Sequence, residues 1–259
     1  MPDLEIVLLL CLAAGGAAWF DAVSGGGGLI QLPALLILLP DAAPAQVLAT
    51  NKLSSVCGTA VAAATYTRRV QPDLRTALPM AGIAFAGAAA GALGAYLVPS
   101  SVFRPLILVL LIGVALYTVA RPRLGQEQRL RHDPGRHHVL AGVIGGVIGF
   151  YDGLVGPGTG SFLVFALVGL LGYDFLQASA KARIVNLATN LGALAVFVPQ
   201  GSPLWGVGAA MGACSVAGGW LGARTAITRG SRFVRVVFLT VVAALILRLA
   251  YDVATGLAG

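Results

Sequence analysis

The chain has 259 residues, 58% of them hydrophobic and only 10% charged, with a formal net charge of +7, and its mean hydropathy is +0.88. A soluble globular domain carries about 25% charged residues, so the composition excludes one and points to an all-α polytopic membrane protein. The positive charge sits in short loops without interleaved aromatic side chains, which excludes nucleic acid as the partner and makes membrane topology the better explanation.

The N-terminal run Ile6–Ala14 is apolar, but Asp3 and Glu5 stand where a signal peptide would be positive, so this segment is expected to be retained. Further apolar stretches bring the set to 4–20, 28–40, 45–66, 76–98, 103–120, 138–152, 158–172, 176–198, 204–226 and 233–251. A bilayer crossing needs roughly 20 residues, which six of these meet or nearly meet. The other four are shorter arms that flank two interruptions. Short arms around a break predict helical hairpins or discontinuous helices meeting inside the membrane.

The first interruption is Asp21-Ala22-Val23-Ser24-Gly25-Gly26-Gly27-Gly28, and the second is Tyr151-Asp152-Gly153-Leu154-Val155-Gly156-Pro157-Gly158-Thr159-Gly160. Glycine costs a helix about 1 kcal/mol relative to alanine, and a carboxylate is expensive in hydrocarbon. Aligning Asp21 with Asp152 sets Gly25 opposite Gly156 and Gly27 opposite Gly158. Similar pairs recur as Ala49–Lys52 against Ala178–Lys181 and Gly91–Ala95 against Gly219–Ala223.

Arginines cluster in three places: Arg68, Arg69 and Arg75; Arg121 to Arg136; and Arg224 to Arg235. Counting crossings puts all three clusters on one side, cytoplasmic by the positive-inside rule, with both termini outside. Lys181 and Arg183 are expected near the inner face. Each half changes sides an odd number of times, so the halves run in opposite directions. The expected architecture is two inverted repeats, 1–120 and 138–259, joined by a basic cytoplasmic linker at 121–137. Inverted repeats with interrupted helices are a common build of secondary transporters.

A helix starting at Gly25–Gly28 turns free N–H groups and its positive dipole end into the membrane, and one starting at Gly156–Ser161 does so from the other side, with Pro157 suited to a first turn. Two such ends can hold an anion. Glycines also serve close helix packing, the role that suits Gly142 and Gly146 or Gly218 and Gly222. Lys52 and Lys181 could attract an anion or snorkel to the headgroups. Asp21 and Asp152 could cap the following half-helices or take up protons that couple transport. Asn51, with Thr50, Ser54 and Ser55, and Asn186, with Thr189 and Asn190, could bind a polar substrate or tie neighbouring helices together. The candidate substrate-binding set is therefore Gly25, Gly26, Gly27, Gly28, Asn51, Lys52, Gly156, Pro157, Gly158, Thr159, Lys181 and Asn186. Arg183 finds no partner in the first half and is assigned to the inner vestibule or a lipid phosphate.

The histidines, His132, His137 and His138, share one loop without metal-ligand spacing. Cys11, Cys57 and Cys214 support neither a disulfide nor a metal site. No catalytic motif, cofactor fingerprint or P-loop is present, so neither an enzyme nor a bound cofactor is expected.

At Phe20-Asp21, Gly25–Leu29, Pro33–Leu36, Ala49–Leu53, Gly149–Gly153, Gly156-Pro157, Lys181 and Asn186 the sequence resembles the TauE/SafE sulfite-exporter-like permeases, closest to their YfcA-type branch. The resemblance spans both halves. It implies a permease of the bacterial cytoplasmic (inner) membrane that moves sulfur-containing anions such as sulfite or sulfonates, with the lipid bilayer and a small anion as partners. The particular anion, the direction and homodimerisation stay open. The alternative is a cation-coupled carrier or channel using Asp21 and Asp152 as ligands.

Overall fold

A computed structural model of the chain describes residues 3–94, 128–200 and 203–254, all of them helix, turn or loop. The helices are α1 (Leu4–Ser24), α2 (Gly28–Leu38), α3 (Pro44–Val70), α4 (Leu74–Gly94), α5 (Pro134–Leu154), α6 (Thr159–Ala166), α7 (Phe175–Gln200) and α8 (Trp205–Ala254). A π-turn, Leu167–Leu171, extends α6. The backbone of α8 leaves helical geometry at Gly230, whose φ of 72° divides the two apolar stretches it joins. The stretch 103–120 and the linker residues 121–127 lie outside the described residues. By length and apolar composition Leu4–Ser24, Leu74–Gly94 and Phe175–Gln200 suffice to cross a membrane.

The arms around the breaks are unequal, which the sequence reading did not expect. The leading arms α1 and α5 are each 21 residues long, whereas α2 has 11 residues and α6 has 8 before its π-turn. Asp21 and Asp152 consequently lie on helices, one turn before the chain breaks, and not in the breaks themselves. The reason is local: Ala22-Val23-Ser24 and Gly153-Leu154 still close helical turns, and the chain turns away at positive-φ glycines. These are Gly25 (92°), directly after α1, and Gly156 (91°), after Val155, whose φ of −127° already departs from the helix.

Two tight packings carry the bundle. α1 lies along the first part of α8, and α4 lies along α5. In both, a glycine brings its backbone onto a carbonyl of the facing helix. A Cβ on Gly222 would fall 2.5 Å from the Trp19 carbonyl oxygen, and one on Gly87 would fall 2.6 Å from that of Gly146. A Cβ on Gly218 would overlap the Gly15 carbonyl, and one on Gly91 would overlap that of Phe150. The packing reading of Gly146, Gly218 and Gly222 therefore describes what they do. In hydrocarbon such close backbone approach is what holds helices together, because lipid tails are as apolar as the side chains. Leu4, Leu12, Ile37, Val139 and Val147 are exposed on the outside of the bundle, as a lipid-facing surface requires.

The connections gather at two opposite faces. On one, Lys181 Nζ donates to the Asp73 carbonyl at 2.9 Å, Arg129 N–H to Gly172 at 2.8 Å, and Ser231 Oγ to Asp174 at 2.9 Å. This face collects the ends of the segments that carry the basic loops. Asp73 there starts α4, accepting the Thr76 hydroxyl at 2.6 Å and the Arg75 N–H at 3.0 Å. Burial works against its charge, but those hydrogen bonds and the nearby Lys181 ammonium hold its carboxyl below the usual range. On the opposite face Leu204 N–H donates to Thr50 Oγ1 at 2.9 Å, and Leu38, Leu39, Ala42, Val47 and Val207 cluster around that join.

Candidate functional site

The two breaks touch. Ser161 donates its N–H to the Gly25 carbonyl and its hydroxyl to the Ser24 carbonyl, both at 3.1 Å. Only glycine permits this approach. A Cβ on Gly160 would fall 2.6 Å from Gly25 Cα and 2.7 Å from Arg183 Nη2, and one on Gly27 would fall 2.6 Å from the Ala17 carbonyl oxygen. Gly160→Ala is therefore expected to cost about 1–3 kcal/mol by overpacking, read as a lowered thermal midpoint of the purified protein. Gly82→Ala, which meets nothing within 4 Å, is the control and leaves it unchanged or slightly raised by helix propensity.

Beside the crossing lie two buried ion pairs. Lys52 on α3 holds Asp152 on α5 at 2.7 Å, their side chains 3% and 2% exposed. Arg183 on α7, fully buried, holds Asp21 on α1 through Nη1. Asp152 also accepts the Thr159 hydroxyl at 2.7 Å, while Asp21 receives the Gly27 N–H at a long 3.4 Å. Helix capping is thus a minor part of what the aspartates do. Asp152 takes a side-chain hydroxyl, Asp21 makes one stretched cap bond, and both spend their charge on cations from other helices.

Arg183 corrects its placement in the sequence reading. It sits within the bundle against the first break, not in a vestibule or on lipid. Lys181 is held at the basic face by the Asp73 carbonyl and lies over the Tyr173 ring at 4.7 Å, so the structure does not bring it to the breaks. Counted from Asp21 and Asp152, the position matching Lys52 is Arg183. The similarity of Ala49–Lys52 to Ala178–Lys181 had hidden this by sliding the register two residues.

A cavity of about 30 Å³ lies at the crossing, lined by residues from both breaks together with Asn51, Lys52, Asn186 and Asn190. That is room for a water or two. Gly25, Gly27, Gly28, Gly156, Gly158 and Thr159 all border it, as do Asp21 and Asp152. Gly26, Pro157 and Lys181 are not among its walls. Pro157 shapes the second break instead, its carbonyl accepting the Tyr151 hydroxyl at 2.6 Å. The breaks also differ in backbone: Gly158 has φ 86° and Gly27 has φ −58°.

Gln31, one turn into α2, escaped the sequence reading. It borders the cavity and is 3% exposed, and its amide nitrogen has no hydrogen-bond partner. A lone polar residue in an apolar helix directly after a break is the signal that could have found it. His137 bonds the Tyr173 hydroxyl at 2.8 Å and His138 the Pro134 carbonyl at 2.6 Å. Among the described residues no three His, Cys, Asp or Glu side chains group as metal ligands.

The sulfite exporter TauE/SafE family model matches residues 9–249 of the chain. A probable membrane transporter protein of Sinorhizobium sp, named ORF9, is 40% identical over 256 residues, covering 97% of this chain and 96% of that protein. The probable membrane transporter protein YfcA of Escherichia coli K12 is 34% identical over 250 residues, covering 96% and 90%. A probable membrane transporter protein of Haemophilus influenzae is 35% identical over 254 residues, covering 96% and 97%. No solved structure matches the chain at a significant level.

Proposed function

The chain belongs to the sulfite exporter TauE/SafE family of membrane transporters, and we propose that it is a proton-coupled secondary transporter of small sulfur-containing anions in the bacterial cytoplasmic membrane. One observation carries this reading: the two helix breaks meet at a small cavity where Lys52 is paired with Asp152. Helix N-termini and an ammonium suit an anion. Both carboxylates are already committed to cations, which weighs against the cation-carrier alternative.

Each half contributes one broken helix, one carboxylate and one cation, and the cation of each half pairs with the carboxylate of the other. The glycine contacts repeat in the same register. Gly218 and Gly222 meet Gly15 and Trp19 as Gly87 and Gly91 meet Gly146 and Phe150, at the spacing that separates Asp21 from Asp152. This favours inverted repeats, and it replaces the match of Gly91 to Gly219 by one of Gly91 to Gly222.

The pairs lie at different depths. Lys52 is two residues from Thr50, which bonds Leu204 at the outer face; Arg183 is two residues from Lys181, which bonds Asp73 at the basic, inner face. Lys52–Asp152 is thus the barrier between cavity and outside, and Asp21–Arg183 the barrier towards the inside. Protonating Asp152 releases Lys52 to an incoming anion, so anion and proton enter together. Reforming that pair and opening the other delivers them to the opposite side. Alternating access follows from two latches that need not open at once.

The test is sulfite flux in proteoliposomes under an imposed pH gradient. Wild type is expected to show flux that rises with the gradient. Asp152→Asn is expected to retain exchange of anion for anion while losing acceleration by the gradient. Flux equally gradient-dependent in Asp152→Asn and Asp21→Asn would remove the coupling role, and no flux of any sulfur oxyanion would remove the reading itself.

A further inference from the structure

Two amide side chains stand at the cavity without counterparts across the pseudo-symmetry. Several walls pair in the Asp21–Asp152 register, such as Ser55 with Asn186 and Thr59 with Asn190. In that register Gln31 faces Phe162 and Asn51 faces Ala182. The two amides are therefore an addition to a framework that the ion pairs and breaks already complete. Neither is exposed to solvent: Gln31 is 3% and Asn51 6% accessible. Gln31 Nε2 and Asn51 Oδ1 both lack hydrogen-bond partners. An unmet donor and an unmet acceptor buried in one small space each cost about 1–3 kcal/mol, which a ligand meeting both would recover.

We infer that Gln31 and Asn51 select a singly protonated oxyanion, one that offers an oxygen to Gln31 Nε2, an O–H to Asn51 Oδ1 and a negative charge to Lys52. This rests on the anion-transport reading and narrows it. A hydrogen oxyanion satisfies all three groups. A fully ionised dianion or an organic sulfonate has no O–H and leaves Asn51 Oδ1 buried and unpaired. The latter also brings a hydrocarbon tail to a cavity of about 30 Å³. Sites built to hydrogen-bond a substrate hydroxyl discriminate strongly against analogues that lack it, for this reason.

The experiment measures inhibition of radiolabelled sulfite uptake by unlabelled sulfite and by methanesulfonate, at a pH where hydrogen sulfite is abundant. Wild type is expected to prefer sulfite at least about fivefold, the smallest step an unpaired buried group of this kind produces. Asn51→Leu is expected to erase most of that preference, and Gln31→Leu to weaken both inhibitors together. Raising the pH through the second ionisation of sulfite is expected to lower its potency relative to methanesulfonate, whose charge does not change. This ratio needs only wild-type protein and so stands if Asn51→Leu does not fold. Uptake with equal potency of the two inhibitors, or a ratio unchanged across that pH range, overturns the assignment while leaving anion transport intact. Absence of uptake in wild type fails the transport reading instead.

Discussion

Arg183→Met is expected to destabilise the protein by about 3–5 kcal/mol, the usual result of deleting one member of a buried ion pair. Asp21 would keep its charge with only the long Gly27 N–H bond in support, in a position 15% exposed. The guanidinium also fills the space that Gly160 leaves beside Gly25, so its loss loosens the contact between the breaks. Adding Asp21→Asn is expected to return most of the lost stability, because a neutral amide does not demand a cation. The measurement is the unfolding midpoint of the four proteins of the double-mutant cycle in one detergent. If the two single variants add without coupling, the pair contributes nothing as a pair, and its place as the inner latch is lost.

Lys52→Met is the second large effect, and it divides differently. Lys52 both pairs with Asp152 and borders the cavity, whereas Arg183 is not among the cavity walls. Lys52→Met alone is expected to destabilise as Arg183→Met does, and Asp152→Asn in the same chain is expected to restore the fold. Transport is not restored. A charge-assisted hydrogen bond contributes about 1.5–3 kcal/mol, so anion affinity in the refolded double variant falls about 10- to 100-fold. Stable protein with wild-type affinity in that double variant would take Lys52 out of the binding site and leave it a structural cation.

The two residues also show what an apolar sequence conceals. Lys52 and Lys181 look equivalent because each closes a similar run, Ala49-Thr50-Asn51-Lys52 and Ala178-Ser179-Ala180-Lys181, yet one is buried at the cavity and the other is tied to the Asp73 carbonyl at the basic face. Helices rich in alanine, glycine and serine match one another in several registers. A shift of two or three residues costs almost nothing in sequence similarity, but it turns a side chain to another face of the helix. Contacts discriminate where composition does not: Gly91 meets Phe150 and Gly222 meets Trp19, and in that register the partner of Lys52 is Arg183. Gln31 was missed for a related reason, since one amide in an apolar arm says nothing about which wall it faces.

Composition alone determined that the chain is a helical membrane protein, because so few charges cannot cover a soluble surface. Glycine-rich stretches and the apolar runs around them determined where the chain breaks and that the breaks come in two. Local physics sufficed for these, since a helix ends where its own residues stop closing turns. Tertiary structure alone decided what the breaks do. It set each carboxylate against a cation from the other half and excluded Lys181 from the cavity. Those choices depend on which helix faces lie together, and no single segment carries that information.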